Sequence, residues 1–273
     1  MPELPEVQTV LNTLELKIKN RKIENIKILY KPIVECSTKT FKKNLVGQHF
    51  RKFKRRGKYL LFEMDDITLV SHLRMEGKYF ILDDSTPFSK HDHVIFYLSN
   101  GKQLRYNDVR KFGRMELIDK KDDYSVFKQL GPEPFSKDFN LKYCKEYLAD
   151  KKLPIKQVLL DQSFVAGIGN IYADEILFAI RVNPKTLANK ITDKNIKDLI
   201  SSTRKILNRA IKAGGTTIRS YTSSLGVTGR FQLKLNVHTM SKCKVCNKDI
   251  KKIVVGGRGT YYCPTCQKEK KWK

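Results

Sequence analysis

The chain has 273 residues, enough for two domains that each bury a core of their own. Hydrophobic residues make up 40% of it, which excludes a disordered chain, and no apolar run approaches the roughly 18 residues needed to span a bilayer. Lys and Arg number 54 against 28 Asp and Glu, a formal charge of +26, so the expected partner is a polyanion, most simply nucleic acid.

The N-terminal MPELPEV carries two acids and two prolines, which is no secretory signal, and a soluble intracellular protein is expected. Val7, Val10, Leu11, Leu14 and Ile18 fall on one helical face, predicting a helix over 5–19 with Pro5 in its first turn. The chain terminus is thereby held against a folded body. Residues 22–118 read as strands. KYLLFEM and ITLVSHL flank an Asp65-Asp66 turn, and VIFYL and QLRY flank Ser99-Asn100-Gly101-Lys102, a hairpin signal. The run RKFKRRGK at 51–58 holds six basic residues in eight and leads into an apolar strand, so it belongs to an ordered edge. GPEPF at 131–135 is a stiff breaker, after which YCKEYLA, IKQVLLDQ, NIYADEILFAI and NIKDLISSTRKILNRAIKA read as helices. The Gly-, Ser- and Thr-rich stretch 214–230 reads as a mobile loop, and two short β-like segments finish the chain.

The expected fold is therefore α+β and multidomain: an N-terminal β-sandwich with a flanking helix, then a helical domain, then a β-hairpin metal site. The expected bounds are 1–130, a linker at 131–140, 141–236, and 237–273. Four of the six cysteines cluster at the end as Cys243-x2-Cys246 and Cys263-x2-Cys266. Two such knuckles complete a tetrahedron of thiolates around one Zn2+, with no position open for water, so the metal is structural. Cys36 and Cys144 read as ordinary thiols. Between the pairs, Gly-Gly-Arg-Gly fits the tip of a hairpin with Arg258 projecting, a group suited to bidentate phosphate contact.

MPELPEV at the start, GIGNIYADE in the middle and four cysteines at the end form a set, in order, that resembles the bacterial formamidopyrimidine-DNA glycosylases from end to end. The resemblance implies base-excision repair of oxidised purines (8-oxoguanine and formamidopyrimidines) in duplex DNA. It implies a glycosylase that is also an abasic-site lyase with β,δ-elimination, acting as a cytoplasmic, nucleoid-associated bacterial monomer. Removal of Met1 would free the secondary amine of Pro2, an α-amine that titrates near about 7.7–8.0 and is partly neutral at cellular pH. This amine would attack C1′ and form a Schiff base. Glu3 would move protons on the sugar. Glu6 is either a second acid of the site or a helix N-terminal charge. Lys58, in RRGKYL, would contact the phosphate beside the lesion and assist catalysis, and Arg258 is expected to serve the catalytic site as well. His72 is a further phosphate contact, and Met75, Arg110 and Phe112 match the wedge that fills the gap left by an extruded nucleotide. GIGN matches the helix–two-turn–helix motif, with Asn170 and Arg258 as phosphate ligands, and 214–232 resembles the loop that closes over the base. Leu4 favours purine-type enzymes over the endonuclease VIII group, the first alternative. The second alternative is a non-catalytic zinc-ribbon protein binding damaged DNA. One departure stands out: Asn236-Val237-His238 occupies the place of the family's Tyr-Gly-Arg or Tyr-Gly-Lys, which puts a basic phosphate contact in doubt.

Overall fold

The computed structural model describes residues 1–120, 127–216 and 229–269. The chain forms two compact units: the first is Met1–Phe127 with Ala213–Arg230, the second Lys128–Lys212 with Phe231–Lys273.

In the first unit, α1 (Leu4–Ile18) begins at a capping box: Glu3 is the N-cap, and its backbone N–H donates to the Glu6 carboxylate at 2.9 Å. Two four-stranded antiparallel sheets follow. β1 (Ile23–Ile28), β6 (Asp92–Leu98), β7 (Lys102–Asn107) and β5 (Lys78–Asp83) form one in that order, and β2 (Lys52–Arg56), β3 (Tyr59–Glu63), β4 (Ile67–His72) and β8 (Arg114–Asp119) form the other. Val7, Leu11 and Leu14 of α1 join Ile26, Phe96 and Leu104 of one sheet and Leu60, Phe62 and Met115 of the other in one buried core. This is the expected sandwich with its helix. Both expected hairpins form, at Asp65-Asp66 and at Asn100-Gly101.

One element in this half corrects the all-strand reading of 22–118. Residues Thr38–Leu45 are helical, α2, because Ser37 caps the Thr40 N–H at 3.0 Å and Phe41 and Leu45, one turn apart, both reach the core.

The second unit carries α3 (Leu141–Leu148), α4 (Ile155–Leu160), α5 (Asn170–Ala179) and α6 (Asp193–Lys212), then the antiparallel hairpin of β9 (Lys251–Val255) and β10 (Arg258–Tyr262). Residues 131–140 are held within this unit. The Arg204 guanidinium donates to the carbonyls of Pro134, Ser136 and Phe139, and Gly131 lies against the backbone of Ser163 and Phe164, where no Cβ would fit. Among the described residues, no helix is long and apolar enough to cross a membrane.

Candidate functional site

The sequence of the first turn decides the geometry at the chain start. Met1 is 50% exposed, whereas Pro2, Glu3 and Glu6 are buried. Met1 is therefore accessible to removal, and Pro2 would then begin the chain directly before two buried acidic residues, Glu3 and Glu6. Glu6 accepts more than the capping bond. Its Oε1 takes the Thr216 N–H at 2.8 Å and the Thr216 hydroxyl at 3.0 Å, so it ties the helix start to the foot of the 214–230 stretch. The helix N-terminal reading of Glu6 describes this carboxylate, which closes the capping box and binds Thr216. Residues 217–228, which hold most of the expected base-covering loop, lie outside the described residues. The neck of that stretch is described: the Arg230 N–H donates to the Ala213 carbonyl at 2.9 Å.

Lys58 sits in the two-residue turn Gly57-Lys58 between β2 and β3, where Gly57 supplies a φ of +54°. Arg55 braces this turn, donating to the Gly57 carbonyl at 2.9 Å and to Gln8 of α1 at 3.0 Å. Lys58 is only 7% exposed, unlike a solvated lysine of a basic run. Its charge reaches His72, whose ring packs edge-on against Tyr59. Burial, then Arg74, then Lys58 push the His72 imidazolium down to about 3. His72 Nδ1 accepts the Arg74 N–H at 2.9 Å, so the proton of the neutral ring is on Nε2, a donor suited to phosphate oxygen.

Met75 (37% exposed) and Phe112 (48%) project from loops and are not core residues. The Arg110 guanidinium lies 4.8 Å from the Phe112 ring centre. The sequence reading missed the residue that shapes this second loop: Asp108, fully buried, accepts the N–H groups of Arg110 at 3.0 Å and Gly113 at 2.8 Å. An Asp two residues before the loop tip is an Asx-turn signal that the sequence carried.

In the second unit, Gly167 takes φ +95° in the turn before α5, and Gln162 bridges that turn to Gly167 and Ile168. Asn170 opens α5 and donates to the Gly259 carbonyl at 2.9 Å. Arg258 is exposed at the start of β10, next to the Gly256-Gly257 turn. Asn170 is therefore bonded to the residue that follows Arg258 in the hairpin. A buried cation missed from sequence supports that tip. Lys156, with no exposed surface, donates to Asp174 at 2.7 Å, to the Thr260 hydroxyl at 2.7 Å and to the Gly259 carbonyl at 3.1 Å. The departing segment 236–238 is also accounted for. Glu175 accepts the N–H groups of Asn236, Val237 and His238, and His238 Nδ1 lies 2.7 Å from Asp174. His238 is thus part of a buried anchor.

The four clustered cysteine sulfurs lie within 4.8 Å of one another, with Cys243 to Cys266 at 3.8 Å and Cys246 to Cys263 at 3.5 Å. A tetrahedral zinc with bonds of about 2.3 Å separates its sulfurs by about 3.8 Å, so the donor set and its size fit one Zn2+. The cysteines occupy the turns outside β9 and β10, not the strands themselves as the two β-like segments suggested. Phe178 and Val237 pack against them.

Three family models match in chain order: the formamidopyrimidine-DNA glycosylase N-terminal domain over 1–115, the H2TH domain of that enzyme over 130–222, and a zinc finger found in FPG and IleRS over 241–268. The formamidopyrimidine-DNA glycosylase of Oceanobacillus iheyensis is 48% identical, covering 99% of each chain, and that of Bacillus subtilis is 46% identical over 99% of this chain and 100% of the relative. A Lactococcus lactis FPG mutant solved with Fapy-dG-containing DNA superposes with a TM-score of 0.93 at 44% identity, over 98% of this chain and 100% of that one. The Lactococcus lactis Fpg bound to abasic-site DNA gives 0.92 at 43% identity, with the same coverage. With a sheltered N-terminal motif, a helix–two-turn–helix tip and a four-thiolate zinc site all present, the chain belongs to the formamidopyrimidine-DNA glycosylase family.

Proposed function

We propose that the chain excises oxidised purines from duplex DNA and then cleaves the strand at the abasic site, with Pro2 as nucleophile. The lone pair of the free Pro2 nitrogen forms a bond to C1′ as the bond to the damaged base breaks, and the proton that the nitrogen then sheds neutralises the departing base. Glu3 delivers a proton to O4′ as the sugar ring opens, and the product is an iminium joining Pro2 to C1′. Its positive nitrogen draws electrons from C2′, so loss of a C2′ proton expels the 3′ phosphate. A second elimination expels the 5′ phosphate, and water then releases Pro2. Zinc takes no part in these steps; it holds the hairpin that carries Arg258.

The observation that carries this reading is the burial of Glu3 and Glu6 beside Pro2 under an exposed Met1. Lys58, His72, Asn170 and Arg258 act as phosphate ligands, and Met75, Arg110 and Phe112 fill the gap behind the extruded nucleotide. The protein works as a monomer near the nucleoid, with a catalytic domain at its N-terminal end and a DNA-binding helical domain that ends in the zinc finger at 237–273.

The test is borohydride trapping on a duplex with one 8-oxoguanine opposite cytosine, followed by mass mapping. An adduct on Pro2 establishes the nucleophile, the loss of Met1 and the lesion class together. An adduct formed only with an oxidised pyrimidine moves the chain to the endonuclease VIII type. No adduct with either lesion, from zinc-loaded protein that lacks Met1 and still binds DNA, makes it a non-catalytic binder.

A further inference from the structure

We infer that Tyr106 and Asp108 form a buried hub that holds the two gap-filling loops in register, and that this hub is a positioning element for base extrusion. The inference rests on the reading of Met75, Arg110 and Phe112 as the wedge.

The two loops are neighbouring crossings between the sheets. One runs from β4 to β5 and carries Met75; the other runs from β7 to β8 and carries Arg110 and Phe112. The ladders end on either side of them, at the pair His72 with Arg114 in one sheet and Lys78 with Asn107 in the other. No strand pairing therefore sets the distance between the tips. The Tyr106 phenol does. Its ring is fully buried and packs edge-on against Tyr79 at 5.2 Å, and its hydroxyl oxygen lies against both Gly77 and Gly113, one glycine in each loop. A Cβ at either glycine would overlap that oxygen, and at Gly77 it would also lie 2.7 Å from the Leu73 carbonyl. The phenol cannot swing aside in a close-packed core.

Asp108 fixes the second loop on the same centre. Oδ1 accepts from Arg110 N–H, Oδ2 from Gly113 N–H, and the Tyr106 hydroxyl lies 3.4 Å from Oδ2. The Asp108 carbonyl accepts from Lys111 N–H at 3.3 Å and lies 2.7 Å from His93 Nε2. Lys111 is held at φ +59°, a left-handed conformation that this network enforces. The first loop closes on itself, with Gly77 N–H donating to the Leu73 carbonyl at 2.9 Å, and leaves Met75 at its tip. One carboxylate and one phenol thus determine where three wedge side chains stand relative to each other.

The test compares two rates at one enzyme concentration: single-turnover base release from an 8-oxoguanine:cytosine duplex, and strand cleavage at a preformed abasic site. An abasic nucleotide has no base to unpair or unstack, so its extrusion depends least on the wedge. Tyr106→Phe, Asp108→Asn and Gly113→Ala leave every wedge residue unsubstituted. They are expected to slow base release roughly 10- to 100-fold, the scale of a misplacement of about 1 Å, and to change cleavage at the abasic site less than about 3-fold. Partial unfolding would lower both rates alike. Should Asp108→Asn fail to fold, Tyr106→Phe, which keeps the ring, carries the test. Met75→Ala and Phe112→Ala check the underlying reading. If these tip variants lose base release selectively and the hub variants do not, the hub is overturned while the wedge stands. If the tip variants show no selective loss, the wedge reading falls and the hub proposal falls with it.

Discussion

Glu6 and Thr216, 210 positions apart in the chain, are joined by two hydrogen bonds to one carboxylate oxygen. The other oxygen caps the first helix through Glu3 N–H. Glu6 is therefore the strut between the turn that presents Pro2 and the neck of the 214–230 stretch, and three donors satisfy its buried charge.

This strut depends on Gly215, which takes φ +77° and whose Cβ, if it had one, would lie 2.8 Å from Glu6 Oε1. Gly215→Ala meets both backbone strain and a collision with a carboxylate that cannot move without losing its partners. Gly47 isolates the two effects: its φ is +91°, and nothing lies within 4 Å of its Cβ position. Gly47→Ala is expected to lose about 1 kcal/mol from strain alone, and Gly215→Ala a further 1–2 kcal/mol or so. Urea unfolding of both variants measures the difference. Equal losses would mean that the Glu6 contact yields freely.

The buried pair of Lys156 and Asp174 gives a second prediction. Lys156→Met removes one charge and leaves the Asp174 carboxylate buried with His238 and the Tyr261 N–H. Breaking such a pair from one side destabilises by roughly 3–5 kcal/mol. Combining Lys156→Met with Asp174→Leu is expected to recover part of that loss, because no uncompensated charge remains. Thermal melts of the two single variants and the double variant test this. A double variant as unstable as the sum of the singles would mean that the two residues act independently.

Much of this was legible in the sequence, for reasons that can be named. Periodicity found α1, α3 and α6 because each buries one face against a core, whereas α5 is buried on every side from Tyr172 to Phe178. The Cys-x2-Cys pairs fixed the zinc site because the spacing itself makes the knuckle. Helix α2 was obscured because only Phe41 and Leu45 of its eight residues are apolar and lysines surround them. The Ser37 cap was its one local signal. Lys156 and Asp174 could not be paired from sequence, since a lone Lys and a lone Asp on separate helices show no period that would bring them together. The backbone of the departing segment 236–238 is anchored by Glu175, the last residue of GIGNIYADE, a role that the motif's spacing did not disclose.

Zinc removal should divide the molecule's behaviour. The hairpin of β9 and β10 is held by the four thiolates at one end and by Lys156 and Asn170 at its tip. Chelation releases the first of these and loosens Arg258, while the sandwich core, which contains none of the four ligands, remains intact. Duplex affinity is expected to fall at least about 10-fold at fixed salt, because the hairpin no longer holds its cationic groups against phosphate. Fluorescence anisotropy measures the affinity, and amide exchange reports protection of β3, β4, β6 and β7. Undiminished binding by metal-free protein, or exchange throughout the sandwich, would contradict this division.

His72 makes stability depend on pH in a defined direction. Its folded-state value lies at about 3, lowered by burial first and then by Arg74 and Lys58, while an unfolded histidine titrates near about 6.5. Between these values the unfolded chain binds the extra proton, so stability rises with pH across that window. The contribution of neutral His72 is fully present above about pH 6.5 and is lost progressively as pH falls toward 3. At pH 5 the loss from this one group is roughly 2 kcal/mol relative to pH 7.5. His72→Gln keeps a side-chain N–H donor but cannot titrate. Urea unfolding of both proteins at pH 7.5, 6 and 5 should show the wild type losing ground to the variant at each step. A constant gap between them would mean that His72 takes up its proton in the folded state without penalty, and that the neutral Nε2 donor inferred for phosphate contact is not enforced by the fold.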